Sequence, residues 1–197
     1  MFKKVALLLG VIATTAAMGE PKPENVSVAM FAGGCFWCMQ SDFDKVPGVI
    51  ETVVGYTGGT LANPTYKQVG TKKTGHYEAL EVFYDESEIS YEELLDVFWM
   101  NIDPTDDTGQ FCDKGSPYRA AIFYLNDSQK VSADQSKEDV IETDKFSRVV
   151  TPVLKASTFY PAEEYHQSYY KKNPTRYHFY RYRCGRDKRL RELWILG

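Results

Sequence analysis

The stretch that most constrains the fold is VSVAMFAGGCFWCMQSDFDKVP, Val26 to Pro47. VSVAMFA reads as a short strand, Gly33-Gly34 interrupts it, and a helix is expected from about Cys35 until Pro47 stops it. Strand, tight turn and helix start together place the Cys35 sulfur at a helix N-terminus, where the macrodipole and free N–H groups favour thiolate. Glycine at 33 and 34 is expected to let a substrate approach the backbone closely. Phe36 and Trp37, the only residues between Cys35 and Cys38, read as apolar walls beside the sulfur. They suit a small greasy group such as a methyl or thioether.

The rest of the chain continues in short elements. VIETVVGYT (Val49 to Thr57) reads as a strand ended by Gly58-Gly59, and a loop through Asn63-Pro64 leads past Tyr66. HYEALEVFYD alternates as a strand from about Tyr77 to Tyr84. SYEELLDVFWMNI opens with a capping box, Ser90 and Glu93, and places Tyr91, Leu94, Leu95, Phe98 and Ile102 at helical spacing. YRAAIFYLN is a further strand, Asp127 to about Asp144 a polar helix, and VVTPVLKAS a strand that Pro152 marks as edge or irregular. AEEYHQSYYKK reads as a short helix, and from Pro174 the chain is basic and aromatic with little periodicity until LRELWI. The order β α β β α β α β predicts an α+β fold: a two-layer, ferredoxin-like mixed or antiparallel sheet with packed helices and a long irregular C-terminal tail.

Residues 1–19 stand apart. Lys3 and Lys4, an apolar run from Val5 to about Ala13, and small residues around Ala16, Ala17 and Gly19 form the three-part pattern of a secretory signal. The apolar run is shorter than the ~20 residues a bilayer span needs. The expectation is a cleaved signal at 1–19 and one domain over 20–197, with the tail beginning at about 174. The product is then exported, with the periplasm the expected compartment and no stable membrane association after cleavage. Removing the two lysines leaves 21 basic against 27 acidic residues, an acidic protein that disfavours nucleic acid and anionic lipid. Four cysteines in an exported chain first suggest two disulfides. Two adjacent, one in mid-chain and one near the end, in a chain of 197 residues that folds without staples, instead make them candidates for chemistry.

GGCFW, YKQV, GHYEALEVFYD, GSPYRAAIF and YHQSYYKKNP together resemble the A-type peptide methionine sulfoxide reductases, from about Ala32 to the tail. The resemblance implies reduction of methionine S-sulfoxide, free or in proteins, and so repair of oxidised proteins. It implies Cys35 as the nucleophile that becomes a sulfenic acid, and Glu78 as the acid that protonates the sulfoxide oxygen. Glu78 shares a strand face with Leu80 and Val82 and so points towards the core, where burial raises a carboxyl pKa; Glu81 faces the other way. Tyr66 and Tyr118 are implied to bind the sulfoxide oxygen, Asp113 to orient the polar network, and Phe36, Trp37 and Tyr118 to hold the ε-methyl. No metal or organic cofactor is implied. The resemblance implies electrons from thioredoxin or a thioredoxin-like donor, and a monomer is expected.

A sulfenic acid is resolved by a second thiol. Cys184, in YRCGRD, resembles the family's C-terminal resolving cysteine, while Cys38, a position commonly glycine in the family, lies one helical turn from Cys35. Cys184 is favoured as first resolver, Cys38 remains the alternative, and Cys112 is read as structural. His76, His166 and His178 lack a second ligand at zinc spacing, and His166 is read as packing and hydrogen-bonding within its helix. Two rival readings remain: a thiol–disulfide oxidoreductase using Cys35 and Cys38, and an exported binding domain whose four cysteines are all paired.

Overall fold

Alternation along β1 (Val26–Gly33) sends Ala29 and Phe31 to one side of a sheet and Met30 and Ala32 to the other, and this division organises the molecule. The computed structural model describes residues 25–195; the expected signal at 1–19 lies outside them. β1 pairs antiparallel with β3 (Tyr77–Asp85) on one side and β6 (Ala120–Tyr124) on the other. Beyond β3 lie β2 (Val49–Thr57) and the two-residue β8 (Tyr160–Pro161), both antiparallel. Beyond β6 lies β7 (Val153–Lys155), in parallel register, so the six-stranded sheet is mixed. Pro152 introduces this edge strand, and its carbonyl accepts from Ile122 at 3.0 Å.

The Ala29–Phe31 face carries the main core. Phe31 stacks on Phe43 of α1 (Phe36–Phe43) at 5.3 Å between ring centroids and on Phe98 of α3 (Tyr91–Met100) at 5.1 Å. Burying one such ring is worth roughly 1.5–3 kcal/mol, and this stack fixes both helices to the central strand. Both halves of the α3 capping box form: the Glu93 amide donates to Ser90 Oγ at 3.1 Å and the Ser90 amide to Glu93 Oε2 at 2.8 Å. The polar helix α4 (Asp127–Glu142) adds Ala133 and Val140 to the same core. The opposite face is covered by Leu154, Ala156 and Phe159.

The smaller elements carry the site. Tyr66 opens a one-turn helix, α2 (Tyr66–Val69), where a loop is expected from the sequence. A hairpin of β4 (Gly109–Gln110) and β5 (Asp113–Lys114) leads into a 3₁₀ turn at Ser116–Tyr118. AEEYHQSYYKK is mostly turn, helical only at α5 (Tyr169–Lys172).

The tail departs most from the sequence expectation: it is not irregular. It forms α6 (Pro174–Cys184) and α7 (Arg186–Trp194), joined by Gly185 in the left-handed region at φ +71°. Pro174 takes the first helical position, where its missing N–H costs nothing. These helices hide from an apolar-period reading because polar groups tie them down. Arg181 Nη1 reaches both Asp42 carboxylate oxygens, at 2.8 and 2.9 Å. Arg186, only 1% exposed, donates to the carbonyls of Gly33 and Asn101 at 3.1 and 2.6 Å.

Candidate active site

Cys35 is the N-cap of α1 and uses its carbonyl, not its side chain, to start the helix: the Cys38 and Met39 amides donate to it at 3.0 and 3.3 Å. The first free amide of α1, that of Phe36, is aimed elsewhere. It donates to Glu78 Oε2 at 3.0 Å. Glu78 stands on β3 opposite Tyr56, on the core face with Leu80 and Val82, and is 3% exposed. Glu81, on the opposite face across from Met30, is half-buried. One backbone bond thus holds the carboxyl against the residue that follows the Cys35 sulfur.

Cys35, Glu78, Tyr66, Tyr118, Asp113, Phe36 and Trp37 all line one cavity of about 60 Å³, so the structure brings these sequence-derived site residues together. Such a volume admits a group of two or three heavy atoms, given the ~30 Å³ share of one water in the liquid. Larger clefts, such as one of about 510 Å³ beside Gln40 and Asp44, are open surface grooves with no cysteine in their walls. Trp37 is fixed from two sides: it lies flat on Tyr169 at 3.8 Å between centroids, and its indole N–H donates to His166 Nδ1 at 3.1 Å. The His166 ring therefore bonds across the fold to the pocket wall, while its backbone N–H donates within its own turn to the Glu163 carbonyl at 2.8 Å. Glu163 positions two further rings, accepting from the Tyr66 amide at 2.8 Å and the Tyr56 hydroxyl at 2.9 Å.

An eighth wall residue escaped the sequence reading. Tyr180 of α6 lines the cavity, meets Trp37 edge-on at 5.9 Å, and donates its hydroxyl proton to Asp113 Oδ2. The signal was a helical one: Tyr177, Tyr180 and Cys184 recur at i, i+3 and i+7. Without a helix at 174–184 that spacing carried no meaning.

Two expectations for the GGC turn are corrected. A Cβ on Gly33 would meet Met39 Sδ at 2.4 Å, and one on Gly34, at φ +84°, would meet Gln110 Cβ at 2.6 Å. The glycines therefore admit Met39 and Gln110, packing groups of the protein itself, where an approaching substrate was expected. The surroundings of Cys35 also work against a preformed thiolate: burial pushes its thiol well above the ordinary range, with Cys38 and the nearby Glu78 and Asp113 charges adding to the rise. Cys38 moves the other way. A hydrogen bond with Cys35 lowers it, and the Arg186 and Arg181 charges help against the cost of burial.

Burial also governs the acids. It raises Glu78 from 4.5 to about 8, although the Phe36 amide pulls the other way. Glu78 is therefore protonated at neutral pH. Burial raises Asp113, with the Tyr180 bond and the Arg186 and Lys114 charges holding it back. Tyr66 is pushed up to about 12, first by burial and then by the Glu78 charge, so it stays a neutral donor. Burial lowers His166 and keeps it neutral.

A raised carboxyl makes folding take up a proton, so stability is full below the unfolded-state pKa of 4.5 and declines as pH rises towards 8. Glu78→Gln removes that loss. Its melting temperature relative to wild type should climb between pH 4.5 and 8 and then level off, measured by thermal unfolding across that range. A difference independent of pH would mean Glu78 ionises normally.

The four cysteines divide into a free pair and a bonded pair. Cys35 and Cys38 are free, buried and packed together against Tyr177. Cys184, expected as the first resolver, forms a disulfide with Cys112, which is read from the sequence as structural. Cys112, Asp113 and Cys184 offer donor atoms close enough to surround a metal ion, but in this bonded state the two sulfurs are not thiolate ligands. His76 engages backbone through both ring nitrogens, with the Gly59 amide at 3.2 Å and the Leu61 carbonyl at 2.8 Å.

Comparison with known proteins adds the following. Residues 27–195 match the family model described as Peptide methionine sulfoxide reductase. Peptide methionine sulfoxide reductase MsrA 2 of Caulobacter vibrioides is 46% identical over 194 residues, covering 98% of this chain and 96% of the relative. Peptide methionine sulfoxide reductase MsrA of Bacillus subtilis is 51% identical over 172 residues, covering 87% of this chain and 97% of the relative. Among solved structures, Mxr1 from Saccharomyces cerevisiae in reduced form superposes with a TM-score of 0.73 at 31% identity, covering 78% of this chain and 88% of that one. Mxr1 in complex with Trx2 shares the fold, with a TM-score of 0.53 at 23% identity and coverage of 78% and 91%.

Proposed function

The chain belongs to the peptide methionine sulfoxide reductase family, and from that membership we propose a residue-by-residue account of how it reduces methionine sulfoxide. The single observation that carries the account is a carboxyl, Glu78, buried in the same small cavity as the Cys35 sulfur, where burial raises its pKa to about 8. A sulfoxide oxygen is a poor leaving group until protonated, and a carboxyl that keeps its proton to about pH 8 supplies that proton at neutral pH.

The substrate's ε-methyl lies between Phe36 and Trp37, and its oxygen accepts from the Tyr66 and Tyr118 hydroxyls. Asp113 holds Tyr180 in the wall. Glu78 gives its proton to the sulfoxide oxygen as the Cys35 sulfur attacks, and the Cys35 thiol proton returns to the carboxylate. The oxygen passes to Cys35 as a sulfenic acid, the substrate sulfur gains two electrons, and methionine leaves neutral. Cys38 then attacks the Cys35 sulfur: the S–S bond forms, the S–O bond breaks and water departs. Cys38 is placed ahead of Cys184 as first resolver in this account because it already packs on Cys35.

The reading needs neither metal nor organic cofactor. Its donor is a thioredoxin-like dithiol, the class of protein with which yeast Mxr1 has been solved in complex. The substrate epimer is S, at free methionine and in proteins. Lys3, Lys4 and the apolar run after them support export, with action in the periplasm as a monomer on oxidised proteins.

A single-turnover assay with resolved S and R methionine sulfoxides tests the reading. Reduced enzyme without donor should release methionine from the S epimer with matching loss of thiols, and none from the R epimer. Disulfide exchange on a peptide without methionine release from either epimer would favour a plain thiol–disulfide oxidoreductase.

A further inference from the structure

We propose that the cavity between Cys35 and Glu78 has a second activity: it reduces hydrogen peroxide, and so makes the protein a thiol peroxidase selective for the smallest hydroperoxide. The proposal rests on the roles given to Cys35, Glu78 and Cys38 above and extends them to another oxidant.

Size is the first argument. Cys35 and Cys38 are 6% and 2% exposed, and the cavity at Cys35 holds about 60 Å³. The part of methionine sulfoxide that reacts there is one methyl carbon, one sulfur and one oxygen. Hydrogen peroxide is two bonded oxygens, and it fits the same space with no side chain to accommodate. An oxidant with a bulky alkyl group does not.

Proton supply is the second. An O–O bond, like the S–O bond of a sulfoxide, breaks readily only when the leaving oxygen takes up a proton. The Phe36 amide engages Glu78 through Oε2, so the other carboxyl oxygen can carry the proton. Burial favours that proton up to about pH 8. The Tyr66 and Tyr118 hydroxyls line the same cavity, and burial keeps both as neutral donors for peroxide oxygen.

The second thiol is the third. A sulfenic acid that meets more peroxide goes on to sulfinic acid, which is a dead end. Cys38 is free and packs with Cys35 against Tyr177, so a partner sulfur is already in place to stop the oxidation at two electrons.

The step balances with peroxide as the oxidant. The Cys35 sulfur attacks one peroxide oxygen; the S–O bond forms, the O–O bond breaks, and the attacked oxygen keeps its hydrogen in the sulfenic acid. The leaving oxygen takes the Glu78 proton and departs as water, while the Cys35 thiol proton passes to the carboxylate. Sulfur has lost two electrons and the O–O bond has gained them. Cys38 then attacks the Cys35 sulfur; the S–S bond forms, the S–O bond breaks, and the hydroxyl leaves with the Cys38 proton as a second water. A dithiol donor reduces the disulfide and becomes a disulfide itself. Attack in line with the O–O bond points the leaving oxygen at Glu78, the buried end of the cavity, where an alkyl group on that oxygen has no room.

Peroxide consumption with dithiothreitol as donor, corrected for the donor alone, tests this beside methionine release from the S-sulfoxide. Wild type should consume hydrogen peroxide catalytically, and reduced enzyme without donor should lose two thiols to one equivalent. Wild type should turn over tert-butyl hydroperoxide at least about 10²-fold more slowly, since misplacement by about 1 Å costs that much; this comparison needs no variant and so no assumption about folding. Glu78→Gln should slow peroxide reduction by about 10²- to 10⁴-fold, the range for loss of a general acid. Equal rates for the two hydroperoxides, or for wild type and Glu78→Gln, would show a sulfur oxidised like any accessible thiol and overturn the proposal. Methionine release without peroxide consumption would overturn it too, with the sulfoxide reading left standing. Loss of both activities in wild type would remove the Cys35 reading, and the peroxidase with it.

Discussion

Cys35→Ser should eliminate methionine release from the S-sulfoxide, by at least about 10⁴-fold in single turnover, to the limit set by contaminating wild type. The reason is chemical. A serine hydroxyl neither forms a sulfenic acid nor gives up two electrons to the substrate sulfur. The substitution is also gentle structurally: Cys35 caps α1 through its backbone carbonyl, which serine keeps, so loss of activity should come with an intact fold. Cys38 cannot substitute, because its sulfur is turned into the cluster with Tyr177 and does not line the cavity. Quantifying released methionine beside a thermal melt separates loss of chemistry from loss of fold. Residual turnover above about one per cent would place the nucleophile elsewhere.

Glu78→Gln should slow the chemical step by about 10²- to 10⁴-fold, the usual range for removing a general acid, while substrate affinity changes little. Glutamine is nearly the same shape, and its side-chain carbonyl can still accept from the Phe36 amide that Glu78 holds at 3.0 Å. What it lacks is a transferable proton. The signature is a fall in the single-turnover rate with the half-saturating substrate concentration held. A fall in affinity with the rate preserved would instead make Glu78 a binding residue.

The two halves of this site differed in how readily they could be read. Strand alternation alone put Glu78 on the core side with Leu80 and Val82, and the register with Tyr56 agrees. The run of strand, glycines and helix around Cys35 was equally legible, because apolar periodicity and turn residues report local geometry directly. The purpose of the glycines was not, since Met39 and Gln110 reach them from elsewhere in the fold. The helices of the tail were missed for a related reason. α6 is rich in arginine and tyrosine and α7 in arginine, and both are held by Asp42 and by backbone carbonyls, so no long apolar stripe marks them. With α6 unread, Tyr180 had no face to share with Cys184. The Cys112–Cys184 bond was unreadable on principle, because cysteine connectivity does not follow from spacing.

The protonation of Glu78 and the thiol state of Cys35 belong to the same burial. A preformed thiolate beside an ionised carboxylate would place two negative charges in a cavity of about 60 Å³, with the sulfoxide oxygen left without an acid. Burial favours the protonated form of both groups, and the Glu78 proton is the one the oxygen needs.

Infrared difference spectroscopy of the Glu78 carboxyl, recorded across pH together with the single-turnover rate, tests this directly. A protonated-carboxyl band missing from Glu78→Gln should persist at neutral pH and fade through about pH 8, and the rate should stay flat below that point and fall with the band above it. A carboxyl already ionised at pH 7, or a rate that climbs as pH passes 8, would contradict it.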